Sequence, residues 1–509
     1  MAENPAILPD TPENRELAAN CHPTDWINPE PCARYNLVVV GAGTAGLVAA
    51  AGAAGLGARV ALVERHLMGG DCLNYGCVPS KGVIRASRAV HDVHTSAAFG
   101  LHGLDGVTCD FGAAMERMRR LRAAISEHDS ARRFRDELGV DVFIGSGRFI
   151  GPDCMEVEGK RLYFGKAAIC TGARAAAPAI PGLAEAGYLT NETVFSLTEL
   201  PSRLAVIGGG PIGCELAQAF ARFGSRVTLI QRAPQILGRE DRDAAQILAA
   251  ALGRDGIDLQ TGVKILGVAR RGDECLVRLE RAGQTDEVAT DAILVGVGRT
   301  PNLEGLGLEA AGVAYGTAGV TVNDRLQTSN PRVFAAGDIC FPWKFTHTAD
   351  ALARVLIANA LFMGRQRTSA LTIPSCTYTD PEIAHVGLYE TEARRKGIGV
   401  TTLTIPLSEV DRAVLDGESG GFARVHLKQG TDRILGATIV ARRAGEMISV
   451  FSLAMANGLG LSAIGRTIHP YPTQAEVIRK LADAHNRTRL TPFVKRVLSG
   501  WLKWQRRGP

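Results

Sequence analysis

The sequence predicts an α/β chain with two doubly wound nucleotide-type units and a third, α+β domain. RYNLVVVGAGTAGLVAAAGAAGLGARVALVE (Arg34–Glu64) and RLAVIGGGPIGCELAQAFARFGSRVTLIQ (Arg203–Gln231) each read as strand, glycine loop, helix and strand. Residues 371–490 carry strand-like runs, ARVHLK and RILGATIV, beside a helical one, GEMISVFSLAMANGL. A length of 509 residues exceeds what one core holds and suits three or four domains of ~150 residues. The division is an extended arm (1–34), a first nucleotide domain with a cysteine pair (35–195) and a second nucleotide domain (196–290). A return to the first domain (291–370), the α+β domain (371–490) and a basic amphipathic tail (491–509) follow.

Composition narrows the classes. Hydrophobic residues make up 46% and charged residues 21%, as in a soluble globular protein. The 57 basic and 52 acidic residues leave +5, too mild and dispersed to argue for a nucleic-acid partner. The Pro-rich first 34 residues lack a basic segment followed by an apolar core, so they do not read as a signal peptide. The uncharged run Leu37–Ala58 is long enough for a membrane span, but its glycines and Arg59 fit a parallel-sheet crossover better. The expected compartment is the cytoplasm, where a stable disulfide is rarer than a transient, catalytic one.

In the first unit, Gly41, Gly43 and Gly46 stand in G-x-G-x-x-G spacing after a strand at Tyr35–Val40. Such glycines permit a tight turn and close approach to a pyrophosphate at a helix N-terminus. Glu64 closes the second strand eighteen residues after Gly46 and can hold a ribose hydroxyl. The second unit repeats this with Gly208, Gly210 and Gly213, but its matching position is Gln231, followed by Arg232. A carboxylate there repels a 2′-phosphate and an arginine attracts one, which favours NADPH, with NADH as the alternative. Arg239 is a second candidate for that phosphate.

Cys72 and Cys77 lie in GGDCLNYGCVPSK. On a regular helix, α-carbons five residues apart are ~8–9 Å from each other, too far for a disulfide. Asn74 and Gly76 between them permit distortion, and Pro79 suits the first turn of a helix running through Lys81 to about Val93. Cys77 then sits near a helix start, where the dipole favours a thiolate. No further Cys or His at ligand spacing completes a metal site, and a structural bridge is disfavoured by compartment, so a redox pair is the expectation. Cys21 and Cys32, near His22 and Asp25, match no zinc spacing, and no metal site is expected.

A third signal, TSNPRVFAAGD (Thr328–Asp338), is a strand running into a Gly-Asp turn. With the two glycine loops and CLNYGCVPSK, it resembles the pyridine nucleotide-disulfide oxidoreductases, which include dihydrolipoamide dehydrogenase, glutathione reductase and mercuric reductase. The resemblance covers roughly Tyr35–Lys480. It implies FAD on the first unit, with Asp338 at its ribityl chain, and NAD(P)H on the second. ICTGARAAAP and GVGRTPN, holding Gly172 and Gly298, look like the chain crossings between the nucleotide domains. It also implies Cys72 as the thiol facing substrate, Cys77 as the charge-transfer thiol facing flavin, and Lys81 near flavin N5 paired with Glu215. A homodimer is implied as well. Two departures are visible: Asp71 stands where Thr is common, and Pro211 where a gating Tyr or Phe often stands.

TIHPYPTQAE (Thr467–Glu476) discriminates within the family. In its disulfide reductases a His before Pro-Thr and a Glu five residues later reach the active site from the partner subunit. Here the position is Tyr471, with Glu476 in place and His469 two residues earlier, on the same side of an extended chain. Tyrosine, with pKa ~10, is a poor base at neutral pH. Reduction of a disulfide needs protonation of a leaving thiolate, whereas reduction of a thiol-bound metal ion does not. Tyr471, GGDCLN and REDRDAA resemble mercuric reductase, implying reduction of a metal ion or thiol–metal complex such as Hg(II). The chain lacks that branch's usual thiols: no cysteine follows Cys376 and no N-terminal CxxC is present. Two alternatives are a dihydrolipoamide dehydrogenase-type disulfide reductase using His469, and a membrane-surface NAD(P)H:quinone reductase.

The last alternative rests on the tail, PFVKRVLSGWLKWQRRGP. It sets Phe493, Val497, Trp501 and Leu502 at helical spacing among Lys495, Arg496, Lys503, Arg506 and Arg507. Such a helix suits weak contact with an anionic membrane, and packing on its own dimer is the plainer expectation.

Overall fold

The computed structural model describes residues 7–104 and 106–506. Arg507 of the basic tail lies outside the described residues. The chain divides into two compact units. One holds the residues up to Ile236 with Gly253–Ala370, the other Leu237–Leu252 with the residues from Leu371 on.

The arm is not extended throughout. Helix α1 (Pro12–Cys21) is capped by the Thr11 side chain, which accepts from the Asn14 amide, and starts on a proline. Leu17 and Cys21, four residues apart on one face, are fully buried. The Asn14 carboxamide oxygen accepts from Arg122 at 2.7 Å. Reading the Pro-rich composition as extended missed this cap and this buried face.

The first unit is built on a seven-stranded sheet. Its strands β1 (Tyr35–Val40), β2 (Val60–Glu64), β3 (Asp141–Ile144), β4 (Arg148–Gly151), β5 (Cys154–Val157) and β6 (Lys160–Ile169) run in the order β3-β2-β1-β6-β5-β4. The β1, β2, β3 and β6 pairings are parallel, and β4–β5–β6 are antiparallel. Tyr35, Leu37, Val38 and Val39 are buried on both faces of the sheet, as an internal parallel strand requires. Helix α2 (Thr44–Gly55) makes the crossover from β1 to β2. A second, parallel sheet contains β7 (Arg203–Ile207), β8 (Arg226–Gln231), β9 (Asp258–Thr261) and β10 (Ala292–Val295), in the order β9-β8-β7-β10. Helix α3 (Pro211–Phe223) joins β7 to β8, with Pro211 in its first turn. Strand β11 (Val333–Ala335) returns the chain to the first sheet beside β6, and helix α4 (Thr346–Leu361) follows.

The second unit is a five-stranded antiparallel sheet, with Phe422–Lys428 paired to Val400–Pro406 and to Ile434–Ala441. Ala423, Val425 and Leu427 are buried there with Phe451, Val477 and Leu481 from the surrounding helices. The predicted helix across GEMISVFSLAMANGL is two helices, Ala444–Met447 and Ser449–Ala456. Leu237–Leu252 joins this unit through Arg424, which pairs with Asp241 at 2.9 Å and with Asp243. No described helix is long and apolar enough to cross a membrane.

Candidate active site

The cysteine segment is two helices, Gly70–Asn74 and Cys77–His94, separated at Tyr75 and Gly76. Gly76 has φ −124° and ψ −116°, outside helical space, so the distortion falls where the sequence permits it. Gly70 adopts φ +58°, and a Cβ there would lie 2.5 Å from the Gly43 α-carbon. The glycine loop and the cysteine segment are therefore in backbone contact, which explains Gly70, while at Gly69, with φ +87°, a Cβ would lie 2.3 Å from Leu73 Cδ2. Asn74 ties the turn down by donating to the carbonyls of Met68 at 3.0 Å and Gly70 at 2.8 Å.

Both cysteines are free thiols, Cys72 half-buried and Cys77 exposed. They are electrostatically opposite. A hydrogen bond from Cys72, then Thr346 and the Lys81 charge, bring Cys77 down to about 6. The same bond, with burial, pushes Cys72 up. Near neutral pH the pair is one thiolate, at Cys77, accepting a proton shared from the Cys72 thiol. Cys77 is the first residue of its helix, and Thr346, whose Oγ1 lies 3.4 Å from the Cys77 sulfur, is the first residue of α4. Both the sulfur and its hydroxyl partner thus belong to the first turns of helices.

Lys81, one turn beyond Cys77, donates to Glu215 Oε2 at 2.9 Å. Glu215 comes from α3, and its side chain is 7% exposed. The pair joins the redox helix to the helix of the second glycine loop.

Asp71 is also held. Its Oδ1 accepts from Asn191 at 2.9 Å and its Oδ2 from Arg299 at 2.9 Å. Arg299 lies 3.3 Å from Asp338 as well, so one guanidinium joins the residue before Cys72 to the Gly-Asp turn. Burial pushes the Asp338 carboxyl up, against the pull of Arg299 and Lys344.

The two glycine loops are closed in parallel ways. A Cβ on Gly46 would lie 1.8 Å from the Gly41 carbonyl oxygen, and one on Gly213 would lie 1.9 Å from that of Gly208. The amide of Ala42 donates to Glu64 Oε2 at 2.6 Å, and that of Gly209 to Gln231 Oε1 at 3.1 Å. Both following helices begin with no side-chain cap, leaving first-turn amides for a ligand. Gly172 and Gly298 have positive φ, 65° and 130°. Arg232 and Arg239 are exposed.

In the second unit, His469, Tyr471 and Glu476 line one cavity of about 450 Å³, together with Arg466 and Arg479. The Tyr471 hydroxyl donates to Asp411 Oδ2 at 3.0 Å, which pushes its pKa up. Glu476 is buried and accepts from Arg479 at 2.8 Å. His469 Nδ1 lies 3.0 Å from the Thr467 carbonyl oxygen.

Residues 35–354 match the family described as pyridine nucleotide-disulphide oxidoreductase, and residues 373–482 match its dimerisation domain. The chain belongs to this family. Mercuric reductase of Staphylococcus aureus is 36% identical over 88% of this chain and 82% of its own. Dihydrolipoyl dehydrogenase of Thermus scotoductus is 37% identical over 88% of this chain and 97% of its own. Among solved structures, the Cu(II) complex of the HOCl-induced flavoprotein disulfide reductase RclA from Escherichia coli superposes with a TM-score of 0.78. It is 29% identical, over 87% of this chain and 99% of that one.

As a pyridine nucleotide-disulphide oxidoreductase the protein is an FAD-dependent oxidoreductase that works with a nicotinamide nucleotide. Its dimerisation domain supports a homodimer. The first glycine loop, its uncapped helix and the Gly337-Asp338 turn fit FAD. Those residues, Cys72, Cys77, Lys81 and Glu215 are gathered in one unit. Thr346 and Asn191 were not among the sequence candidates. A threonine at a helix start eight residues beyond Asp338 is the only local signal for the first, and Asn191 has none.

Proposed function

We propose that this oxidoreductase uses NADPH and the Cys72/Cys77 pair to reduce a soft metal ion, or its thiol complex, in the manner of mercuric reductase. Bound FAD would supply two-electron transfer from the nicotinamide to the dithiol. Gly41, Gly43 and Gly46 would hold its pyrophosphate, Glu64 and Asp338 its sugar hydroxyls, and Lys81, held by Glu215, would supply a cation to the reduced flavin. Gly172 and Gly298 pass the chain beside the nucleotides. Gly208, Gly210, Gly213 and Arg232 hold NADPH. Cys77 remains the thiolate towards flavin, and Cys72 meets the acceptor. Hg(II) in its thiol complex is the first candidate acceptor, and Cu(II), a thiol-oxidising ion, is the second.

The observation that carries this reading is Tyr471. Its hydroxyl is committed to Asp411 and its pKa lies above the usual tyrosine value. A group so placed does not shuttle protons near neutral pH, and metal-ion reduction does not ask it to. A second reading, a disulfide reductase, is favoured by His469, which lines the same cavity as Tyr471 and Glu476. In that reading His469 is the base and Glu476 its partner. The two variants His469→Ala and Tyr471→Phe separate them. Metal-ion reduction retained in both His469→Ala and Tyr471→Phe supports the metal reading. Lipoamide turnover that collapses in His469→Ala and survives in Tyr471→Phe supports the second.

A further inference from the structure

The matched dimerisation domain ends at residue 482. Beyond it the chain forms one more helix, α5 (Pro492–Gln505), capped by Thr491 and containing no buried residue. At about 100° per residue, Phe493, Val497, Leu498, Trp501, Leu502 and Trp504 occupy one half of its circumference. Phe493 is 71% exposed, Trp501 55% and Trp504 65%. The two indoles lie against each other, ring centres 5.0 Å apart. Lys495, Arg496 and Lys503 occupy the other half, with Arg506 just after the helix. No Asp or Glu occurs between Asp483 and Arg506.

We propose that α5 docks this protein on an anionic lipid bilayer, lying in the plane of the surface. Charge selects the occupant. A helix packing on a second copy buries its apolar half and leaves its polar half to water, where both signs serve equally. Here the polar half carries cations only, and negative lipid headgroups are the surface that complements it along its whole length. Indole rings suit the boundary between headgroups and acyl chains. The helix is too short to span a bilayer. The pairing that the family's dimers use is supplied upstream, by residues 373–482. This inference is independent of the electron acceptor.

The test is co-sedimentation of the purified holoenzyme with vesicles of phosphatidylcholine alone or of a three-to-one mixture with phosphatidylglycerol. Three variants accompany it: a deletion of residues 491–509, Trp501→Glu with Trp504→Glu, and Lys495→Glu with Lys503→Glu. The proposal predicts that the native chain binds the anionic vesicles more than about tenfold better than the neutral ones. Salt weakens that binding, and all three variants lose it. It also predicts that the deletion keeps its dimeric mass by light scattering and its NADPH oxidation with soluble acceptors. Equal binding to both vesicles, no binding to either, or binding retained by the deletion overturns it. So does a deletion that becomes monomeric, which makes the helix part of the dimer.

Discussion

Asp71 and Arg299, 228 residues apart in the chain, form an ion pair at 2.9 Å immediately beside Cys72. Arg299 also reaches Asp338, so the acid before Cys72, the thiol proposed to face substrate, is wired to the turn proposed to hold the flavin ribityl chain. The negative charge of Asp71 is one of the influences that keep Cys72 protonated. Asp71→Asn should therefore lower the pH at which Cys72 becomes alkylatable in the reduced holoenzyme, read by mass spectrometry after iodoacetamide. Losing one arm of a partly exposed pair should cost ~1 kcal/mol in urea unfolding. An unchanged Cys72 profile would remove Asp71 from the electrostatics of the pair.

Cys77 ionises at about 6, far below a free thiol. Its folded pKa is depressed, so the stability it contributes is full above the unfolded value near 9 and fades as pH falls towards 6. In the reduced protein Cys77 should react with iodoacetamide with a midpoint near pH 6. Thr346→Val removes one hydrogen bond to the sulfur and should raise that midpoint by about one pH unit. Lys81→Met should raise it too, because it removes the nearby cation.

Glu215 is buried against Lys81. Glu215→Ala leaves the lysine without this carboxylate and should destabilise the protein by ~1–3 kcal/mol. The same variant should slow NADPH-dependent flavin reduction in stopped flow, with flavin content unchanged. Glu215→Gln, which retains an acceptor oxygen, should recover most of the stability and only part of the rate.

At the second glycine loop, Arg232→Ala should raise KM for NADPH about tenfold, ~1.4 kcal/mol, and leave KM for NADH unchanged. Steady-state kinetics with both nucleotides read this directly. Equal effects on the two would remove Arg232 from 2′-phosphate recognition.

Much of this site was legible because its signals are local. The strand Tyr35–Val40, the spacing of Gly41, Gly43 and Gly46, and the acid at Glu64 announce a βαβ unit within thirty residues. The break at Tyr75 and Gly76 followed from the mismatch between five-residue spacing and disulfide reach. Thr346 reaches Cys77, and Asn191 and Arg299 reach Asp71, only through tertiary folding, and no local period marks them. Helix α1 was hidden by prolines, although Thr11-Pro12 is itself a helix start. The split at Ile448 breaks an apolar run whose composition favours helix throughout.

The electron acceptor is read most directly from anaerobic NADPH oxidation by the purified holoenzyme. Separate reactions would contain Hg(II) with excess thiol, Cu(II) without added thiol, lipoamide, and glutathione disulfide. Turnover with a metal ion, abolished in Cys72→Ala, and little with either disulfide is the expected result. Turnover with a disulfide and none with either metal would contradict it, and would move the chemistry to His469 and Glu476.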